Sequence, residues 1–134
     1  MSDATLSEVR VRYAETDQQG VVYHANFLVW MEIGRTGFLN AVGFPYPRLE
    51  ADGVYFAVLD ASCRYHGAAR YDDRVVIATR CAEVRSRTAT FVYDLSVDGQ
   101  RIAGGRTTLI ALDGERRPRR IPAELAAALA AGLP

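Results

Sequence analysis

Lysine is missing altogether: the 16 basic residues of this 134-residue chain are all arginine. Any phosphate contact must then be made by guanidinium groups, whose planar fork binds oxygens in pairs. Net charge is missing too, because 16 acids balance the 16 arginines. With no overall field, neither a nucleic acid nor an anionic membrane is an expected partner. Cysteine is scarce. Cys63 and Cys81 stand apart with no CxxC or CxxH spacing, so they read as buried free thiols, and with His24 and His66 they offer no metal-ligand spacing. No metal site is expected. No apolar run reaches the length of a membrane span, and the start, MSDATLSEVR, lacks the apolar core of a signal peptide. The cytoplasm is the expected compartment. Linkers, repeats and low-complexity tracts are absent as well, so residues 1–134 read as one globular unit.

What is present is a folding composition, 49% hydrophobic and 24% charged. Val9, Val11 and Tyr13 alternate with Arg10 and Arg12, which predicts a first strand beginning near Val9. From about Asn26 to Val42, Phe27, Trp30, Met31, Gly34, Phe38, Ala41 and Val42 recur at spacings of three and four, the period of a helix with one apolar face. Glu32 and Arg35 read as an ion pair or as wet positions on that helix. Gly43, Pro45 and Pro47 end it. A short turn or helix at 47–51 precedes four predicted strands at about 54–65, 74–85, 88–97 and 101–112, the clearest alternation being Phe91, Tyr93, Leu95 and Val97. Asp98-Gly99-Gln100 and Arg85-Ser86-Arg87 read as tight connections, so neighbouring strands should be antiparallel. Pro122 to Leu129 reads as a short last helix. The expected class is α+β: a long central helix wrapped by a curved antiparallel sheet of about five strands. Such a sheet leaves edges to protect, and a dimer or tetramer is expected.

Chemistry concentrates between the first strand and the helix, in Tyr13-Ala14-Glu15-Thr16-Asp17-Gln18-Gln19-Gly20-Val21-Val22-Tyr23-His24-Ala25-Asn26-Phe27. A carboxylate, a flexible glycine and a histidine lie just ahead of a helix N-terminus, whose free N–H groups favour an anion or a developing oxyanion. That arrangement suits acyl transfer. It also suits a plainer reading in which Asp17 caps a turn and His24 packs locally. The residues alone leave both open.

The run Glu-Thr-Asp-x-x-Gly-Val-Val-Tyr-His-Ala-Asn-Phe resembles the signature of the 4-hydroxybenzoyl-CoA thioesterase family of hotdog-fold acyl-CoA thioesterases. Ala69-Arg70-Tyr71-Asp72-Asp73 and Gly105-Arg106-Thr107 resemble two further motifs of that family, and the likeness covers about residues 8 to 122. The resemblance implies hydrolysis of an acyl- or aroyl-CoA thioester without metal or redox cofactor, CoA being part of the substrate. It implies that Asp17 acts as nucleophile or general base, that the backbone N–H at His24 polarises the thioester oxygen, and that Gly20 lets the loop bend. Tyr23 and Asn26 would shape the pocket. Arg85, Arg87 and Thr88, with Ser86, fall where some members hold the CoA phosphates. The site would lie at a subunit interface. His66-Gly67-Ala68 departs from the family's usual proline and basic residue. A hotdog dehydratase or hydratase using His24 and Glu32 is an alternative, but eight helical residues separate them by about 12 Å. A non-catalytic acyl-CoA-binding protein is the other, against which Asp17 and Gly20 stand intact.

Overall fold

The computed structural model describes residues 4–131. Along the chain come β1 (Thr5–Arg10), a 3-10 turn (Tyr13–Glu15), α1 (Asn26–Ala41), α2 (Tyr46–Ala51), β2 (Tyr55–Tyr65), β3 (Arg74–Val84), β4 (Thr88–Val97), β5 (Gln100–Leu112) and α3 (Ala123–Ala130). The five strands form one antiparallel sheet in the order β1-β3-β4-β5-β2. Hairpins join β3 to β4 and β4 to β5. At the second, Asp98 and Gly99 both take positive φ, the two-residue turn whose twist matches the flanking strands. Register shifts interrupt the ladders after Val58, Cys81 and Leu95. Such bulges bend a strand and add twist, which helps a sheet curl around a helix.

The alternation in β3 and β4 sorts the faces. Val75, Ile77 and Cys81, with Phe91, Tyr93 and Leu95, are buried beneath α1, which supplies Phe27, Trp30, Met31, Phe38 and Leu39. Gly34 is required by this contact: a Cβ there would run into Thr79 Oγ1 and come within 2.7 Å of Ile77 Cγ2. Leu125 and Leu129 of α3 complete the same core.

Two expectations change in scale. α1 has 16 residues and spans about 24 Å, whereas the 11-residue β3 spans about 36 Å, so the helix is shorter than the central strand it packs on. The first strand begins and ends earlier than the pattern suggests, at Thr5 and Arg10, and Tyr13 lies in the 3-10 turn. Its less exposed face is Thr5, Ser7 and Val9, and the Ser7 hydroxyl sits against Gly37. Two of its three helix-facing side chains are therefore polar.

Two sequence-distant parts are stitched together beyond the sheet. Ile121 N–H donates to Ser86 O at 2.8 Å and Ala111 N–H to Arg87 O at 2.9 Å, so the β3–β4 turn is held by both β5 and the segment entering α3. At the far edge, β2 leaves Val58 and Leu59 more than half exposed.

Candidate active site

The loop ahead of α1 is organised by Glu15, a carboxylate only 6% exposed. Oε1 accepts the Arg12 N–H at 2.8 Å, and Oε2 accepts the buried Trp30 indole N–H at 3.0 Å. Its carbonyl accepts twice more, from Tyr23 N–H at 2.9 Å and Asn26 Nδ2 at 3.0 Å. One residue thus ties the end of β1, the loop and the first turn of α1 together. Between these ties Thr16 and Val22 form a small antiparallel bridge, closed by Asp17 N–H to Val21 O at 2.9 Å and Gly20 N–H to Asp17 O at 3.0 Å. Gly20 has φ +80°, in the left-handed region that side-chain-bearing residues rarely enter.

Asp17 stands at the head of this turn, half-buried, with Oδ1 accepting the Gln19 N–H at 2.8 Å and Oδ2 free of protein partners among the described residues. The capping function read from sequence is therefore present, and one carboxylate oxygen is left for other work. An open depression of about 460 Å³ borders Asp17, lined by Tyr13, Ala14, Thr16 and Gln18. His24 does not border it.

His24 lies just before α1. Its carbonyl accepts the Tyr65 hydroxyl at 2.9 Å and the Phe27 N–H at 3.2 Å, and its ring packs on Tyr23 and edge-on to Tyr65. The N–H groups of Asn26, Phe27 and Leu28 are taken by Tyr23, His24 and Ala25 carbonyls. Among the described residues no acceptor takes the N–H of His24 or Ala25. Tyr23 is exposed, and Asn26 spends its amide on Glu15, so Asn26 shapes the loop. Tyr23 and Asn26 are thus tied to Glu15, and Gly20 closes the turn that begins at Asp17, while His24 is held separately through Tyr65 and Phe27.

Arg85, Arg87 and Thr88 lie away from this loop. They lie beyond the C-terminal end of β3, whereas the loop is tied to the other end, where Val11 N–H meets Asp73 O. A strand of 11 residues, about 36 Å, separates the two groups within one chain. Arg85 Nε is paired with Glu83 at 2.9 Å, while the Arg87 side chain is exposed. Asp73 and Asp72 fix the strand entry: Asp73 Oδ2 accepts Arg70 N–H at 2.8 Å, and Asp72 meets Arg10 at 3.3 Å.

Arg35 departs from the surface position expected for it. It is neither wet nor paired with Glu32, being 7% exposed with Nε and Nη1 each 3.3 Å from the hydroxyls of Tyr46 and Tyr93. Burial opposes its charge, but the two phenols outweigh burial and hold its pKa above the ordinary guanidinium value. The spacing Phe27, Met31, Arg35, Phe38 carried the signal, since it sets Arg35 on the apolar stripe. Glu15 was also missed as an organiser, because its partner Trp30 lies 15 residues away. Among the described residues no group of three or more His, Cys, Asp or Glu is placed to hold a metal ion. Burial pushes the Cys63 thiol up, away from nucleophilic use.

A five-stranded antiparallel sheet around one helix, with an aspartate loop at the helix start, is the hotdog thioesterase architecture, and a solved structure of a hypothetical protein from Thermus thermophilus matches it with a TM-score of 0.92 at 38% identity, over 96% of this chain and 98% of that one. Residues 19–103 match the family model described as Thioesterase superfamily. The Bacillus subtilis protein YneP is 49% identical over 66% of this chain and 64% of its own length. The acyl-CoA thioesterase YbgC of Haemophilus influenzae is 33% identical over 90% of both chains. The chain belongs to the thioesterase superfamily. Among the described residues no helix is long and apolar enough to cross a membrane.

Proposed function

We propose that this chain is an acyl-CoA thioesterase of the 4-hydroxybenzoyl-CoA thioesterase type, hydrolysing an acyl- or aroyl-CoA to the free acid and CoA. The observation that carries the reading is the pair of untaken N–H groups, at His24 and Ala25, beside a loop that presents Asp17 with one carboxylate oxygen free. Donors fixed before the reaction need no reorganisation when the thioester oxygen gains charge, which is why such groups lower the barrier. Asp17 then either takes a proton from water as the water adds to the carbonyl carbon, or attacks that carbon itself to form an anhydride that water opens. In both routes the C–S bond breaks, the CoA thiolate leaves and is protonated, and the acyl group departs as a carboxylate. The step uses no metal or redox cofactor.

One chain does not make a whole site, and a second copy is the natural completion. β2 is an 11-residue edge with Val58 and Leu59 exposed, and α1 turns Leu28, Val29 and Ile33 outward. An apolar edge of this length invites pairing with another strand. A homodimer or homotetramer would also let Arg85, Arg87 and Thr88 of a second copy reach the CoA phosphates that their own loop cannot share. Both cysteines are free, in keeping with a reducing cytoplasm.

Asp17→Asn tests the reading, since the amide keeps the shape and removes the charge. Free-thiol release is measured for both proteins on acetyl- to palmitoyl-CoA and several aroyl-CoA thioesters. A loss of about 100-fold or more in kcat, about 2.7 kcal/mol of barrier, is expected on whichever substrates the wild type cleaves. Equal rates in the two proteins would remove Asp17 from the chemistry. A wild type that binds acyl-CoA without cleaving any would favour the binding-protein alternative.

A further inference from the structure

Arg35 is the one buried cation in the core, and no carboxylate lies within 4.0 Å of it among the described residues. Its two hydrogen bonds, both at 3.3 Å, go to neutral phenols. The Tyr93 hydroxyl is 2.6 Å from Thr107 Oγ1, so the phenol facing Arg35 is itself engaged. The two phenol oxygens support the charge, but neither is a carboxylate, so the guanidinium has no anionic partner in the core. Nη2 has no hydrogen-bond partner among the described residues, yet it is not among the sealed, unpartnered atoms. It is therefore not completely sealed, although the residue as a whole is buried.

The register shows which part of the sheet lies on that side. Ala61 pairs with Thr107 and Cys63 with Gly105, and a Cβ at Gly105 would meet Met31 of α1, so this face of β2 looks toward the helix. Even so, Ala61 is exposed and Cys63 only half-buried, while Val58, paired with buried Leu109, is 53% exposed. Within one copy, α1 covers the central strands and leaves a strip of β2 uncovered beside it, so a ligand there would lie between this copy and the second. Arg35 is linked toward that strip through Tyr93, whose hydroxyl meets Thr107, the β5 partner of Ala61. Along α1 it is ten residues beyond Ala25, about 15 Å, and helical side chains lean toward the N-terminus by up to about a turn, which leaves about 10 Å to the untaken N–H groups.

The geometry points to Arg35 as the residue that reads the far end of the acyl chain: a thioester held at the start of α1 and laid along the bare strip of β2 would place a terminal carboxylate on the Arg35 guanidinium. The substrate class is then an acyl-CoA of medium length that ends in a carboxylate. This rests on the hydrolytic reading above and adds the identity of the acyl group.

Paired substrates test it. Adipoyl-CoA is compared with hexanoyl-CoA, and suberoyl-CoA with octanoyl-CoA, in wild type, Arg35→Met and Arg35→Lys, each checked for folding by circular dichroism. In the wild type the charged member of a pair should be preferred by about 10-fold to 100-fold in kcat/KM, the range of a charge-assisted hydrogen bond. The ratio should fall toward one in Arg35→Met and survive in part in Arg35→Lys. A wild-type ratio near one, or in favour of the apolar chain, overturns the inference even if the variants do not fold, and leaves thioester hydrolysis standing. A large ratio unchanged in folded Arg35→Met overturns the role of Arg35. If no thioester in the panel is cleaved, the hydrolytic reading fails, and the thermal shift produced by adipoyl-CoA against hexanoyl-CoA decides the Arg35 question by the same comparison.

Discussion

Replacing Glu15 by glutamine should loosen the loop that carries Asp17, and the cost can be worked from two hydrogen bonds. Glu15 offers one oxygen to the Arg12 N–H and the other to the Trp30 indole N–H, at 2.8 and 3.0 Å. Glutamine keeps one oxygen and turns the other into an NH2 group, so one donor must face another donor. The oxygen should stay with Trp30, which is 1% exposed and has no alternative partner, and Arg12 N–H would lose its acceptor. A hydrogen bond to a charged group contributes about 1.5–3 kcal/mol, and leaving a donor unsatisfied costs a similar amount. Glu15→Gln is therefore expected to destabilise the fold by about 2–3 kcal/mol. For a chain of this size each kcal/mol lowers Tm by about 4 °C, giving a drop of about 8–12 °C. Trp30 is the only tryptophan, so its fluorescence in a urea titration reports from the site itself. Both proteins must be compared at one concentration, because any self-association adds to apparent stability. A difference below about 0.5 kcal/mol would refute the claim that this carboxylate holds the loop.

Gly34→Ala should destabilise by about 1–2 kcal/mol, because overpacking of about 2–3 kcal/mol against Thr79 and Ile77 outweighs the roughly 1 kcal/mol that alanine adds to a helix; chemical denaturation gives the sign. The double change Arg85→Ala with Arg87→Ala should raise KM about 10-fold or more for a CoA thioester and leave a short thioester lacking the nucleotide unaffected, with the CoA difference shrinking as salt rises. Burial pushes the Cys81 thiol up to about 11, so a thiol-alkylating reagent at pH 8 should modify it only after unfolding. The unfolded chain loses that proton first, so the stability contributed is complete below about pH 9 and declines toward pH 11. A Cys81→Ala variant should show a flatter decline over that interval.

The punctuation of the chain made the framework readable. Gly43 and the following prolines end α1 where the periodicity does, and alternation in Phe91, Tyr93, Leu95 and Val97 marks β4 to its last residue. β1 was displaced because Ser7 turns a hydroxyl toward the helix at Gly37, which removes the apolar alternation that a strand with one wet face normally shows. Within the loop, the motif located the residues but not the force that holds them. Glu15 works through Trp30 on α1, and Arg35 is buried by Tyr46 from α2 and Tyr93 from β4. Partners brought together only by the fold leave little trace in local spacing. A charged residue spaced as part of an apolar stripe, as Arg35 is, is the trace they do leave.

The stitching of the β3–β4 turn bears on the entropy of binding. Ser86 and Arg87 have their carbonyls fixed by Ile121 and Ala111, so the backbone beneath Arg85 and Arg87 lost its freedom when the protein folded. The CoA phosphates proposed to dock there would have only side-chain rotamers left to order, about 0.5–1.5 kcal/mol for each arginine, with no loop to immobilise. Shortening the chain ahead of Ile121 would return that backbone freedom to the turn, and binding would weaken without the loss of a single arginine.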